Sequence, residues 1–548
     1  MDIPAAPSAY DYPLLIKHLL HTPLLCAPNQ EIVSGDHWRY DYRTFRDRIG
    51  RLASGLASLG VGKGSTVAVM DWDSHRYLEC YFAVPMLGAV LHTINIRLSP
   101  EQILYTIHHA EDDVILVHSD FSAAFAQISG RFERPIAQVL LQDESESSQP
   151  PAGYAAEYEA LLSSSESGYE FQDFDEQTPA TTFYTTGTTG DPKGVVYTHR
   201  QLVLHTMAIL AGLGPIAGSN RFHRGDVYMP MTPMFHVHGW GVPYAATLMG
   251  VKQVYPGRYE PSKLLGLIQR EGVTFSHCVP TILHMLLAAP AAEATDLSGW
   301  KVIIGGSALP QGLAQAALAR GIDVFTAYGM SETCPFLTIA DLSATPRDSR
   351  SDEAIAQRCK TGKPAPLVEL RVVDPHMNDV PHDGKTTGEV VVRAPWLAQG
   401  YVKDSERSEA LWEGGYLHTG DVGHIDPTGS LQVTDRMKDL IKSGGEWISS
   451  LELESIVSGC EGVAEVAAIG LPDGLWGERP MLVVVRTEEG ETPVTAGDVR
   501  DAVRLHVESG RLSKWAVPER IEFVESLDKT SVGKLDKKAL RARYVGQV

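Results

Sequence analysis

Residues 185–194 read TTGTTGDPKG, a stretch whose composition suits phosphate. Thr185, Thr186, Thr188 and Thr189 offer hydroxyl donors, Gly187 and Gly190 let backbone N–H groups approach an anion closely, and Lys193 adds a point charge after the stiffening Pro192. The common phosphate-loop pattern G-x-x-x-x-G-K-[ST] is absent, because Pro192 precedes the lysine and Gly194 follows it. The ordinary alternative is a polar loop between a strand and a helix. Other positions carry similar ambiguity when taken singly. Glu332 lies in an SET tripeptide, usually a helix N-cap with Ser331 capping. Asp421 ends a TGD, usually a turn. Tyr328 follows an apolar run and suits a core. Lys534 neighbours Lys529, Lys537 and Lys538, a charge run that suits a solvated face. His236 and His238 have the i, i+2 spacing of a strand and no third ligand, which makes a poor metal site.

The elements that must position these residues follow an alternating plan. STVAVMDWD, DDVILVHS, VKQVYPG, VTFSHCVP, WKVIIGG and IDVFTAYGMSE are short apolar, β-branched runs, separated by helical stretches such as SHRYLECYFAVPMLGAV and PSKLLGLIQREG. That alternation predicts α/β layers with largely parallel sheets. Residues 143–177, rich in Ser, Glu, Gln and Asp, read as an exposed connection. After about Leu367 the texture changes to antiparallel strands and hairpins. From Asp435 a compact final unit follows, with a helix around residues 451–458. The expected fold class is α/β: a large N-terminal body (1–435) of layered mixed and parallel sheets with helices and a β subdomain, then a small mobile α+β C-terminal lid (436–548).

Bulk properties narrow the partners. With 548 residues, 43% hydrophobic and 21% charged, the chain has ordinary globular composition. Its 47 basic and 68 acidic residues give a net charge of −21, which disfavours wholesale binding to nucleic acid or an anionic membrane. Six cysteines without a C-x-x-C pair read as reduced thiols rather than a disulfide frame or a zinc site. No stretch approaches the about 18 apolar residues of a membrane span, and neither a signal peptide nor a peroxisomal address is legible. A cytoplasmic location is expected.

In order along the chain, YTTGTTGDPKG, MFHVHGW (234–240), GGSALP (305–310), YGMSET (328–333), YLHTGD (416–421), DRMKDLIKSGGEWIS (435–449) and KTSVGKLDK (529–537) resemble the motifs of the adenylate-forming superfamily of acyl-CoA synthetases, carrier-loading adenylation domains and beetle luciferases. Thr186 departs from the usual serine but keeps a hydroxyl. The resemblance spans most of the chain. It implies ATP, Mg²⁺ and coenzyme A as reactants and cofactors, and a carboxylic acid that is first adenylated and then passed to a thiol. It also implies roles. Thr185, Thr186, Gly187, Thr188, Thr189, Gly190 and Lys193 would clasp the β- and γ-phosphates. Tyr328 and Gly329 would lie on one side of the adenine and Gly305, Gly306, Ser307 and Ala308 on the other. Glu332, with Thr185, would hold Mg²⁺, and Thr333 would bond the α-phosphate. Asp421 would accept both ribose hydroxyls, with Arg436 reaching the same sugar. Lys534 would be the catalytic lysine, screening the attacking carboxylate from the α-phosphate. Lys438 would be the hinge about which the lid turns, withdrawing Lys534 and bringing Lys442, Gly444, Gly445, Glu446 and Trp447 in to line the thiol tunnel.

For the acid, the resemblance puts His236 at an aromatic gate between the ATP and acyl sites. Trp240 lies four residues on, so on a helix the two would face one way. His236 and Trp240 are assigned to the wall between acyl pocket and tunnel, with SHCVPTILHML and Gly306 adding to the pocket. No basic residue there greets a second carboxylate, so an unadorned monocarboxylic acid fits. IKSGGEWIS with HVHGW looks like bacterial fatty-acyl-CoA synthetases of medium and long chain and 3-methylmercaptopropionate ligases. A carrier-loading enzyme, an aromatic-acid CoA ligase, a luciferase-like oxygenase and a non-catalytic nucleotide-binding module are the alternatives. Homodimers are common in such enzymes, and no residue decides the point.

Overall fold

A computed structural model describes residues 4, 6–143, 152–185, 191–214, 222–343, 345, 350–444, 446–487, 493–509, 512–530 and 535–545. The chain divides into two compact units, the first made of Met1–Thr185, Asp191–Met207 and Pro233–Arg258, the second of Thr186–Gly190, Ala208–Thr232 and Tyr259–Val548.

The first unit is built on a seven-stranded sheet in the order Ala156–Glu157, Ala137–Leu141, Val114–His118, Thr66–Met70, Val90–Thr93, Pro179–Thr185 and Lys193–Thr198. All neighbours are parallel except the last pair. TVAVM (66–70) and VILVH (114–118) are buried along their whole length. Such continuous apolar runs belong to parallel strands covered on both faces. The helix His75–Met86 is buried all round and starts where the Ser74 side chain accepts the N–H of Tyr77. A second, smaller group pairs Glu31–Ser34 with Trp38–Asp41 antiparallel and with Lys252–Tyr255 parallel.

The stretch expected to be an exposed connection is partly folded. Ala156–Glu157 forms the sheet edge and Tyr158–Ser163 is a helix. Tyr158 is fully buried and donates its hydroxyl to Glu79 at 2.6 Å. Tyr158, Leu161 and Leu162 carry the i, i+3, i+4 spacing of an apolar helix face, which the surrounding acidic and serine residues obscure.

In the second unit Val227–Pro230, Phe275–Cys278, Lys301–Ile304 and Asp323–Gly329 run parallel, and Phe336–Ile339 and Lys363–Pro364 add antiparallel. Asp323, which opens the strand ending in Gly329, accepts from the buried Arg358 guanidinium at 2.5 Å. Next comes an antiparallel sheet of Glu369–Val373, Gly388–Arg393, Leu417–Ile425 and Leu431–Arg436. The C-terminal segment packs the helices Ser450–Ser458 and Ala496–Glu508 over a long hairpin, Val463–Asp473 with Gly477–Arg486, around Leu453, Val457, Leu482, Val484, Val499 and Val503. Fully burying one such aliphatic side chain contributes about 1.5–3 kcal/mol, so this cluster is a core in its own right. Among the described residues no helix is long and apolar enough to cross a membrane.

Candidate active site

Three predicted residues meet in the second unit. Tyr328, near the end of its strand, donates its hydroxyl to Asp421 Oδ2 at 2.7 Å. Asp421 stands opposite Arg436 in the antiparallel register, and the Arg436 Nε lies 3.3 Å from Asp421 Oδ1. Asp421 is 5% exposed. Burial first, and then the Asp421 carboxylate, push the Tyr328 hydroxyl well above its ordinary pKa, so it remains a donor. A carboxylate has about four lone-pair sites. Tyr328 and Arg436 take one each, which leaves acceptor capacity for a vicinal diol.

Glu332 sits just beyond, in the 3-10 turn Ser331–Thr333. Its Oε1 accepts the Tyr401 hydroxyl at 2.7 Å, and its backbone carbonyl accepts the N–H of Ala398 at 2.9 Å. Burial and the Glu332 carboxylate raise the Tyr401 hydroxyl's pKa. Tyr401 therefore fixes this carboxylate, and nothing in the local sequence around 401 announces it. Thr333 is fully buried, its hydroxyl 2.6 Å from the Pro335 carbonyl and 3.0 Å from that of Met330. Gly329 is sterically required: a Cβ there would lie 1.4 Å from the Pro335 carbonyl oxygen. Gly305 and Gly306 follow the neighbouring parallel strand Lys301–Ile304, with Gly306 at φ +77°, and Ser307 and Ala308 are exposed. Mg²⁺ binds through one or two carboxylates plus phosphate oxygens and water. Among the described residues no three ligating side chains cluster, and Glu332 offers a single oriented carboxylate. That donor set fits Mg²⁺ shared with phosphate oxygens and does not fit an all-protein cage.

Thr185, Lys193, His236 and Trp240 belong to the first unit. Thr185 and Lys193 face each other across two antiparallel strands, so the glycine-threonine loop joins strand to strand rather than strand to helix. Thr186, Gly187, Thr188, Thr189 and Gly190 lie outside the described residues.

His236 and Trp240 do not share a right-handed helix face. Val237, His238, Gly239, Trp240 and Gly241 all have positive φ, from 48° to 73°. They form a left-handed turn, in which right-handed i, i+4 facing does not apply. Each non-glycine residue there costs about 1–2 kcal/mol, so the surroundings must hold it. Asp73 accepts the N–H of Met234 at 2.8 Å, Thr93 donates to the Phe235 carbonyl at 2.9 Å, and the Tyr81 hydroxyl bonds the Met234 carbonyl. His238 is fully buried among the rings of Tyr81, Phe183, Tyr197 and Tyr244. Burial lowers its pKa to about 3. It is a neutral packing residue, which the motif alone does not reveal. His236 and Trp240 flank it, both half-buried.

In the C-terminal segment, Lys442 pairs with Trp447 and Ser443 with Glu446 in a short hairpin, with the Lys442 ammonium 4.4 Å from the Trp447 ring centre. Gly444 has φ +61°, and a Cβ there would come within 2.8 Å of the Trp515 ring. Trp447 is exposed. Lys438 is exposed, one residue after Met437, whose N–H bonds the Gly420 carbonyl at 2.9 Å. Gly445 and Lys534 lie outside the described residues.

The sequence pattern of the AMP-binding enzymes matches residues 25–402, and that of the AMP-binding enzyme C-terminal domain matches residues 452–534. A long-chain-fatty-acid–CoA ligase of Thermus thermophilus is 40% identical over 526 residues, covering 94% of this chain and 93% of its own. A 3-methylmercaptopropionyl-CoA ligase of Ruegeria lacuscaerulensis is 37% identical over 541 residues, covering 97% of each. The crystal structure of an anthranilate CoA ligase in complex with anthranoyl-AMP superposes with a TM-score of 0.84 at 24% identity, over 97% of this chain and 98% of that one. A tyrosine and an arginine sharing one near-buried aspartate, one oriented glutamate, and these matches along nearly the whole length place the chain in the AMP-binding enzyme family, among its acyl-CoA ligases.

Proposed function

We propose that this protein activates an unadorned monocarboxylic acid, a fatty or thioether acid, with ATP and transfers the acyl group to coenzyme A. In the first step a carboxylate oxygen attacks the α-phosphorus and pyrophosphate leaves. In the second the coenzyme A sulfur attacks the acyl carbon, AMP leaves, and the thiol proton is released. The observation that carries this reading is the Asp421 carboxylate, nearly buried, oriented by Tyr328 and left with acceptor capacity for a ribose diol. Thr185–Lys193 would grip the terminal phosphates, Gly305–Ala308 and Tyr328–Gly329 the adenine, and Thr333 the α-phosphate. Mg²⁺, held through Glu332 with Thr185, would offset charge on the phosphate oxygens. Lys534 would bring the positive charge between carboxylate and α-phosphate.

The lid is assigned to residues 436–548 and its hinge to Lys438. Asp435 is held in the antiparallel sheet by pairing with Val422, whereas the strands from Ile441 onward belong to the C-terminal core. Turning there would carry Lys442, Gly444, Gly445, Glu446 and Trp447 toward the thiol. His236 and Trp240 are assigned to the acyl–thiol wall, and Gly306 with residues 276–286 to the acyl pocket. In that segment His277 is buried, its pKa lowered to about 3 by burial, and its Nε2 meets the Tyr228 hydroxyl at 2.8 Å. It offers no positive charge, which supports an acid without a second carboxylate.

The test is a panel of acids from propionate to palmitate, with 3-methylmercaptopropionate and benzoate, assayed for AMP and pyrophosphate. Coenzyme A-dependent AMP release with saturated or thioether acids is expected; ADP formation, or no turnover across the panel, would refute the reading. The six free thiols suit a reducing cytoplasm, and light scattering tests the homodimer.

A further inference from the structure

We propose that Asp435, Ser450 and Lys537 form a latch that holds the C-terminal lid against the strand Leu431–Arg436 in one of its two positions. The inference rests on Lys438 as the hinge, since Asp435 then lies on the body side and its partners on the lid.

The helix Ser450–Ser458 meets that strand with its N-terminus. Ser449 donates its hydroxyl to the Thr434 carbonyl at 2.5 Å. The N–H of Ser450 donates to Asp435 Oδ2 at 2.5 Å, and the Ser450 hydroxyl donates to Asp435 Oδ1 at 3.0 Å. The same hydroxyl accepts from Lys537 Nζ at 2.6 Å, and Lys537 also pairs with Glu454 at 2.8 Å. Asp435 is 1% exposed, Ser450 0% and Lys537 9%. The carboxylate therefore sits at the positive end of a helix, with one serine hydroxyl relaying between it and a buried ammonium. Glu454 is tied in turn to the N–H of Ala468 at 2.8 Å, so the lid side of the latch is fixed to the lid's long hairpin. Asp439, just past Lys438, makes a further ion pair with Arg541 at 2.8 Å, on the helix that Lys537 opens.

Two consequences follow. Rotation about Lys438 must break every contact between Asp435 and Ser450, because the former stays in its sheet and the latter moves with its helix. These contacts are therefore specific to one lid position. Lys537 also lies three residues after Lys534, so the latch fixes the end of the segment bearing the catalytic lysine to the strand that ends in Arg436. Lys537 and Asp435 are positioning residues in this scheme. Losing a hydrogen bond to a charged group shifts a two-state population by about ten- to a hundredfold.

The experiment measures the two half-reactions separately in wild type, Ser450→Ala and Asp435→Asn: pyrophosphate exchange for adenylation, and coenzyme A transfer from supplied acyl-adenylate. Thermal unfolding runs in parallel. The expected result is a change of about tenfold or more in the ratio of the two rates, one rising relative to the other. Tryptic nicking after Lys438 should quicken in both variants. An unchanged ratio, with both half-reactions equally reduced or both intact, would overturn the latch, because a merely structural role lowers both together. If the wild type performs neither half-reaction, the functional reading fails on its own, and the nicking rate alone decides whether Asp435 and Ser450 hold the lid.

Discussion

Replacing Asp421 by asparagine tests the nucleotide site most directly, because the amide keeps the shape and removes the charge. Tyr328 at 2.7 Å keeps an acceptor in the amide oxygen. Arg436 is 45% exposed and 3.3 Å away, so its ion pair is worth about 0–1 kcal/mol at most and water replaces it. The variant should fold, with a stability loss under about 2 kcal/mol. Substrate recognition should change far more. A hydroxyl donating to a carboxylate contributes about 1.5–3 kcal/mol, against about 0.5–1.5 kcal/mol for a neutral acceptor. The wild type should therefore prefer ATP over 2′-deoxy-ATP by about 10- to 150-fold in kcat/KM. In Asp421→Asn that preference should fall to about 2- to 12-fold, with most of the loss on ATP rather than on the deoxynucleotide. The assay is pyrophosphate release with each nucleotide at saturating acid, beside a melting curve. A folded variant that keeps the wild-type preference, or a wild type that does not discriminate, would refute the assignment of Asp421 to the ribose.

Glu332→Gln should raise the Mg²⁺ concentration needed for half-maximal adenylation and lower its rate by about a hundredfold or more, read from an Mg²⁺ titration; an unchanged titration removes Glu332 from the metal site. Lys534→Ala should abolish adenylation yet spare coenzyme A transfer from supplied acyl-adenylate, and equal loss of both half-reactions would contradict the moving lid. His238, with its pKa lowered to about 3 by burial, stays neutral when folded and takes up a proton near pH 6.5 when unfolded. Stability is complete above that unfolded value and is lost as pH falls toward 3, by about 2 kcal/mol at pH 5. His238→Phe should flatten this dependence in urea titrations at pH 7.5 and pH 5.0, and an identical slope would mean that another group carries it.

What the chain made legible and what it hid separate along a physical line. Strands such as residues 66–70 and 301–304 are readable because β-branched runs prefer extended backbone and are buried on both faces, so local preference and tertiary environment agree. Tyr328, Asp421 and Arg436 are readable as motif members, and the structure adds that the tyrosine and the arginine share one carboxylate. The Tyr401–Glu332 bond joins residues far apart in sequence, and neither carries a local signal of the other. The helix at residues 158–163 is masked by acidic and serine neighbours whose average character says loop. The turn at residues 237–241 is the extreme case. A β-branched valine, a histidine and a tryptophan all adopt the left-handed conformation that L side chains avoid, so every local rule points the wrong way. Contacts from Asp73, Tyr81 and Thr93 to the preceding Met234 and Phe235, each from more than a hundred residues earlier, and the aromatic cage around His238 help to over-determine it. Backbone strain held in this way clusters at functional sites. The sequence misleads at the turn that His236 enters and Trp240 belongs to, while the strands around it read correctly, and the acyl–thiol wall proposed above is the role that such held strain would serve.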